Sequence, residues 1–131
     1  MALDLKKIKI LLIDDDEFHL STAEMYLKDE YEIRKAKSGE EALEFLNKND
    51  FIPDLIMLDI IMPGMNGWEV FEKIKAINRL KDVPIVFLTS EDGEKEREKA
   101  RKLGVVDYIT KPYDMTFVKN TISEIIRIRC R

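Results

Sequence analysis

The sequence has little of what several classes of protein depend on. It contains one cysteine and one histidine in 131 residues. Cys130 alone cannot form an internal disulfide or a cysteine-based zinc site, so both frameworks are excluded. Five glycines and four prolines leave no room for a low-complexity linker. The chain is therefore expected to form one domain over residues 1–131.

Long apolar runs and basic blocks are also missing. No run approaches the length of a membrane span, and charged side chains interrupt residues 3–13 before a signal-peptide core can form. The 22 basic side chains are outnumbered by 26 acidic ones, and they form no block of the kind that duplex binding requires. We expect a cytoplasmic protein that binds neither a membrane nor nucleic acid directly.

Short apolar runs alternate with helical patterns along the chain. The predicted strands are Lys9–Ile13, Tyr31–Ala36, Leu55–Leu58, Ile85–Leu88 and Val105–Ile109. The predicted helices are Glu17–Asp29, a segment capped by Ser38, Trp68–Leu80, Glu91–Leu103 and a segment capped by Asp114 that includes Phe117 in its apolar stripe. Strict alternation with right-handed crossovers predicts a doubly wound α/β fold, in which helices cover both faces of a parallel sheet.

Polar side chains follow the ends of four of the predicted strands. They are Asp14 to Asp16 after the first strand, Asp59 after the third, Thr89 and Ser90 after the fourth, and Lys111 after the fifth. In sheets of this type, ligands bind outside the carboxyl ends of the strands. These carboxylates, the hydroxyl and the ammonium are therefore expected to converge at one edge.

Carboxylates that crowd one edge repel each other unless a cation lies among them. An all-oxygen ligand set favours Mg²⁺, or Mn²⁺ as a substitute, over zinc. A metal beside a lysine and a threonine suits phosphoryl chemistry. Asp59 is the candidate nucleophile, because it stands alone at the end of the central strand and carboxylates can form aspartyl phosphates.

Other phosphate sites and nucleophiles fit the sequence less well. No glycine-rich loop follows the first strand, which disfavours a P-loop NTPase and a flavodoxin that binds FMN there. A Ser/His/Asp set is also missing, and we expect His19 to be a solvated surface residue because no orienting partner is evident. Asp16 is expected to cap the first helix rather than to bind a metal.

Four short motifs, in their order along the chain, resemble those of the receiver domain of two-component response regulators. The motifs are Asp14-Asp15, the segment Asp59–Gly67, Thr89-Ser90 and Lys111-Pro112. The resemblance spans essentially the whole chain. It implies a flavodoxin-like, five-stranded parallel sheet in the order 2-1-3-4-5.

The same resemblance implies a role for each motif residue. Asp59 would be the phosphoacceptor. Asp15, Asp59 and the backbone carbonyl of Ile61 would ligate Mg²⁺ directly, with Asp14 acting through a bound water. Thr89 and Lys111 would contact the phosphoryl group, and Tyr108 occupies the family's aromatic switch position.

As a receiver, the domain would be phosphorylated by a histidine kinase or a phosphotransfer protein. It would then change partner, or form a homodimer through the face made by the fourth helix, fifth strand and fifth helix. It would be no enzyme beyond its own self-phosphorylation and self-dephosphorylation. One alternative is an aspartate-nucleophile phosphohydrolase, but that chemistry usually needs a second acid at the position of Ile61. Another is a degenerate receiver that only binds proteins, which the complete acid, threonine and lysine set argues against.

Overall fold

The computed structural model describes residues 8–48, 50–90 and 93–129. Cys130 and Glu91, at which the sequence predicted the start of a helix, lie outside these ranges. The strands are β1 (Ile8–Ile13), β2 (Tyr31–Ala36), β3 (Leu55–Leu58), β4 (Ile85–Thr89) and β5 (Asp107–Thr110). The helices are α1 (Glu17–Leu27), α2 (Gly39–Lys48), α3 (Gly67–Lys75), α4 (Glu94–Leu103) and α5 (Met115–Arg129), with a short 3₁₀ helix at Asn78–Leu80.

All strand pairings in the described sheet are parallel, and the order is β2-β1-β3-β4-β5. Both the fold class and the strand order predicted above are confirmed. The register aligns the carboxyl ends of the strands, since Ile13 pairs with Leu58 and Thr89 pairs with Thr110. Residues that follow these positions therefore emerge at a common edge.

Two apolar layers cover the sheet, one on each face. Leu11 and Ile13 of β1 pack in the layer that includes the buried side chains of α2, α3 and α4. Ile10 and Leu12 pack in the opposite layer, with the buried side chains of α1 and α5. This alternation buries β1 on both faces, which is why its sequence is a continuous apolar run.

Local hydrogen bonds fix the helix ends where the sequence predicted caps. Asp16 accepts from the N–H groups of Phe18 and His19 at the start of α1. Ser38 Oγ accepts from Glu41 N at 3.0 Å, and Asp114 accepts from Thr116 N at 2.8 Å. Gly104 ends α4 with a φ of 92°, in the left-handed region that glycine adopts without strain.

Two predicted helices were too long at their carboxyl ends. The helix predicted to continue to Leu80 ends at Lys75, because Ile77 is extended and Leu80 turns into the core on the short 3₁₀ helix. The Lys75 ammonium donates to the carbonyls of Lys81 and Val83, which holds this turn together. The first helix likewise ends at Leu27, two residues before the predicted Asp29.

The region from α4 to α5 also departs from prediction. The fifth strand begins at Asp107 rather than Val105, because Val105 N donates to Ala100 O and closes the end of α4. Leu103, the last residue of α4, is exposed, and Ala100 is the buried residue of that helix. Phe117 was wrongly placed in the apolar stripe of α5, where its side chain is 56% exposed.

Within the described ranges, none of the helices combines the length and apolar content needed to cross a bilayer.

Candidate metal site at the carboxyl edge of the sheet

Three aspartates meet where β1 and β3 end. Asp59 N donates to Ile13 O at 2.9 Å, which sets Asp59 beside the residue that follows Ile13, Asp14. Oxygens of Asp14, Asp15 and Asp59 all lie within 4.8 Å of one another. Asp14 and Asp59 are each only 6% exposed, whereas Asp15 faces solvent. The acid cluster expected from the sequence is therefore assembled by the sheet register.

Lys111 reaches this cluster from the end of β5. Its backbone N–H donates to Thr89 O at 2.7 Å, which extends the pairing of β4 with β5 by one residue. Its ammonium lies 3.1 Å from Asp14 Oδ2 and 3.3 Å from Asp59 Oδ2. The side chain of Lys111 is 15% exposed. One cation thus bridges two of the three carboxylates.

One ammonium does not neutralise the cluster. Burial raises the pKa of the Asp59 carboxyl to about 6, and the neighbouring Asp14 adds to the rise although Lys111 opposes it. Burial also disfavours the Lys111 ammonium, but the carboxylates of Asp59 and Asp14 outweigh it and raise the pKa of Lys111. The site therefore retains an affinity for a further positive charge.

The loop after β3 shapes the outer wall of the site. Ile61 N donates to Asp59 Oδ1 at 3.4 Å, and the Ile61 side chain is 53% exposed. Gly67, the first residue of α3, packs directly on this loop, since a Cβ there would lie 2.5 Å from Asp59 O. Only glycine allows α3 to begin so close to the Asp59 backbone.

Thr89 and Tyr108 lie on the two strands next to the acids. Thr89 is the last residue of β4 and is fully buried, while Ser90, the other hydroxyl predicted at this edge, is exposed. Tyr108 pairs with Phe87 across β4 and β5, and the two rings meet edge to face with centroids 6.2 Å apart. The Arg97 guanidinium lies 4.9 Å from the Tyr108 ring centroid and donates to Thr110 Oγ1 at 2.6 Å.

His19 lies at the surface, as predicted, but the expectation that it has no orienting partner is wrong. Its Nδ1 lies 3.2 Å from Lys111 Nζ, and its side chain is 37% exposed. The sequence signal was its position in the first turn of α1, three residues after the capping Asp16, which directs it back over the end of β1. Its partner Lys111 is 92 residues away in the chain, so no local pattern predicts the contact.

Tyr113 is a second residue that the sequence did not single out. It lies close to Lys111 and lines the same shallow groove as His19 and Met115. Burial raises the pKa of its hydroxyl, so Tyr113 is an uncharged side chain beside the acids.

The donor set fits a magnesium ion. Among the residues that the structure describes, the charged ligands gathered at the cluster are carboxylate oxygens, and hard divalent cations prefer oxygen. Burial raises the pKa of Asp59, and Asp14 adds to the rise, so the Lys111 ammonium alone does not fully compensate the ionised carboxylate. A divalent cation held by one or two of these carboxylates would remove that deficit and leave coordination positions for phosphate oxygens.

Comparison with known families decides what kind of domain carries this site. The family described as "Response regulator receiver domain" matches residues 10–123. The chain belongs to this family.

Individual relatives differ in how much of their length this receiver domain covers. The chemotaxis protein CheY of Halobacterium salinarum is 37% identical over 119 residues, which is 90% of this chain and 96% of that protein. A probable cyclic di-GMP phosphodiesterase of Vibrio cholerae is 34% identical over 119 residues, which is 91% of this chain but only 26% of that protein. The domain thus spans nearly all of one relative and about a quarter of the other.

Solved structures agree with the family assignment. The chemotaxis protein CheY4 of Vibrio cholerae superposes with a TM-score of 0.83 at 28% identity, over 91% of this chain and 98% of that one.

The raised pKa of Asp59 predicts how the stability of the metal-free receiver depends on pH. The folded state holds the Asp59 proton more tightly than the unfolded chain, so the free energy of unfolding falls as pH rises from about 4 to about 6. Asp59→Asn removes this titration. In thermal melts, the variant should be more stable than the parent at neutral pH by about 2 kcal/mol, and the difference should vanish near pH 4.

Asp29→Asn, at an exposed turn, is the control and should track the parent at every pH. Added Mg²⁺ should stabilise the parent more than Asp59→Asn. A stability difference between Asp59→Asn and the parent that is independent of pH would contradict the stated cause.

Proposed function

We propose that this receiver domain accepts a phosphoryl group on Asp59 from a histidine kinase or a phosphotransfer protein, in a reaction that requires Mg²⁺. The main support for this function is the buried Asp59 carboxylate, which lies 3.3 Å from the Lys111 ammonium and within 4.8 Å of two further acids. Mg²⁺ or Mn²⁺ held by Asp15, Asp59 and the Ile61 carbonyl, with Asp14 acting through water, would neutralise charge on the incoming phosphate oxygens.

Three residues of this chain have separate roles in the phosphoryl transfer. An oxygen of Asp59 attacks phosphorus while the bond to the donor's histidine nitrogen breaks, and the electron pair leaves with that nitrogen. The Lys111 ammonium contacts a phosphate oxygen and offsets the charge that concentrates there. The Thr89 hydroxyl donates to another oxygen once the acyl phosphate has formed. The product is an aspartyl phosphate that persists until water attacks it.

Residues 1–131 form a single receiver domain that acts in the cytoplasm. It has no catalytic activity beyond making and losing its own acyl phosphate. Phosphorylation switches it to a new protein partner or to a homodimer through the face of α4, β5 and α5. Relatives such as the phosphodiesterase contain the same domain within a much longer chain.

Intact-mass spectrometry tests the phosphoacceptor. Incubation with acetyl phosphate and Mg²⁺ should add the mass of one phosphate to the parent and to Asp29→Asn, and none to Asp59→Asn. Omitting the metal should prevent the gain, because the remaining carboxylates would repel the donor. Equal labelling of Asp59→Asn would show that another residue is the acceptor.

Titration calorimetry with Mg²⁺ tests which aspartates are metal ligands. Asp15 and Asp16 are adjacent and both exposed, but Asp16 uses its carboxylate to cap α1. Asp15→Ala should therefore weaken Mg²⁺ binding far more than Asp16→Ala. Equal losses would place Asp16 among the metal ligands.

The lifetime of the acyl phosphate should depend on Ile61. Its exposed, branched side chain beside Asp59 cannot orient water by hydrogen bonding, so we expect slow dephosphorylation. Glu91, which the family places on the other side of the water path, lies outside the described residues. Ile61→Asn should accelerate single-turnover decay by about tenfold, the effect of one well-placed hydrogen bond. Ile61→Leu keeps the shape and should decay like the parent; unchanged decay of Ile61→Asn would remove the argument.

Output is proposed to run through Thr89 and Tyr108. A phosphoryl group would draw Thr89 toward it, and Tyr108 would rotate into the vacated space, away from Arg97. Beryllofluoride with Mg²⁺ should select this state and shift amide signals of residues 89–90 and 105–112. Thr89→Ala should uncouple the shifts near Tyr108 from the site, whereas Thr116→Ala at the exposed start of α5 should not. Shifts confined to the acid cluster would mean that the output uses another face.

A further inference from the structure

The Lys111 ammonium has three N–H groups and three acceptors. Asp14 Oδ2 lies at 3.1 Å, Asp59 Oδ2 at 3.3 Å and His19 Nδ1 at 3.2 Å. Each N–H therefore has one partner among the described residues, two of them carboxylates and one an imidazole. The imidazole contact is as short as the two ion pairs.

These acceptors differ in what happens to them during phosphoryl transfer. Under the proposed function, Asp59 becomes the acyl phosphate and Asp14 turns toward the metal and its water. Both carboxylates are then partly withdrawn from Lys111. His19 is the member of the set with no part in metal or phosphate binding, so its contact with the ammonium can persist throughout the reaction.

The hydrogen bond with Lys111 determines which ring nitrogen of His19 carries the proton. An ammonium group only donates, so a hydrogen bond from Lys111 Nζ requires Nδ1 to be the acceptor, with the ring proton on Nε2. Carboxylate oxygens of Asp14 and Asp16 lie 3.6 and 3.5 Å from Nδ1, longer than the contact with Lys111. The backbone on either side of His19 is fixed, because Asp16 caps this turn of α1 and Leu20, which follows His19, is buried in the core. This backbone sets the direction of the imidazole ring.

We propose that His19 is a positioning residue for Lys111: its neutral imidazole, accepting through Nδ1, holds the ammonium against Asp59 while the phosphoryl group arrives. This inference rests on the proposed function, because Lys111 matters to transfer only if Asp59 is the acceptor. His19 touches neither the phosphoryl group nor the metal. Its effect on the rate is transmitted through Lys111 alone.

Phosphorylation rates of two His19 variants distinguish a role in positioning Lys111 from a role in packing alone. His19→Leu removes the acceptor and should slow labelling of Asp59 by acetyl phosphate about tenfold, the factor that corresponds to one charge-assisted hydrogen bond. His19→Asn places an amide oxygen near the position of Nδ1 and should restore most of the lost rate. Phe18→Leu, at the neighbouring exposed position, is the control and should label like the parent.

A double-mutant cycle tests the route of the effect. In a Lys111→Met background, His19→Leu should cause no further loss, because the residue it positions is absent. Additive losses would overturn the proposal, as would a His19→Leu variant that labels at the parent rate. Failure of His19→Asn to recover any rate would mean that the imidazole acts through its shape, which also overturns it.

A spectroscopic arm is independent of phosphorylation. Nitrogen-15 spectra of the metal-free protein in mildly alkaline buffer should show His19 with a protonated Nε2 and a hydrogen-bonded, unprotonated Nδ1. Lys111→Met should shift the Nδ1 signal and admit the other tautomer. If the His19 nitrogen signals are unchanged in Lys111→Met, His19 does not accept a hydrogen bond from Lys111, and the proposal is overturned. If Asp59 is not labelled at all, the proposed function fails, and this arm still decides whether His19 holds Lys111.

Discussion

Three clustered carboxylates, two of them paired with one ammonium, set the conditions for everything else at the carboxyl edge of the sheet. The parallel register pairs Ile13 with Leu58, so Asp14 and Asp59 emerge side by side and cannot separate without unpairing β1 from β3. Lys111 compensates part of the charge, and burial holds the pKa of Asp59 at about 6. Demand for a further cation is thus a consequence of strand pairing, and the same crowding that costs stability gathers the groups that phosphoryl transfer requires.

The surroundings of the acids combine rigid supports with one loosely attached helix. The Asp16 cap and the close approach of Gly67 fix the two loops that carry acids. By contrast, α4 buries only Ala100 in the core and is otherwise attached through polar contacts. Arg97 lies over Tyr108 and donates to Thr110, and Lys99 lies over Trp68. Contacts of this kind are individually weak, so α4 can shift at lower cost than a helix with a full apolar stripe. A change at Thr89 therefore has a nearby element that can respond to it.

Sequence patterns predicted the features that depend on burial. Buried parallel strands must be apolar on both faces, so β3 was predicted to the residue, and the acids that follow β1 and β3 were visible as polar interruptions. Boundaries failed where single hydrogen bonds decide them, as with the Lys75 ammonium on the carbonyls after the 3₁₀ helix and Val105 N on Ala100 O. His19 was misjudged for a different reason, because its partner is supplied by the fold and not by its neighbours in the chain.

Phosphoryl transfer to the acid cluster requires Asp59 to be its nucleophile, and chemical mapping of the acyl phosphate tests that most directly. Borohydride reduces an aspartyl phosphate to homoserine, which marks the phosphorylated residue by its mass. After treatment with acetyl phosphate and Mg²⁺, peptide mass spectrometry should find homoserine at position 59 and aspartate at positions 14 and 15. Homoserine at position 14 or 15, with intact aspartate at 59, would contradict the account.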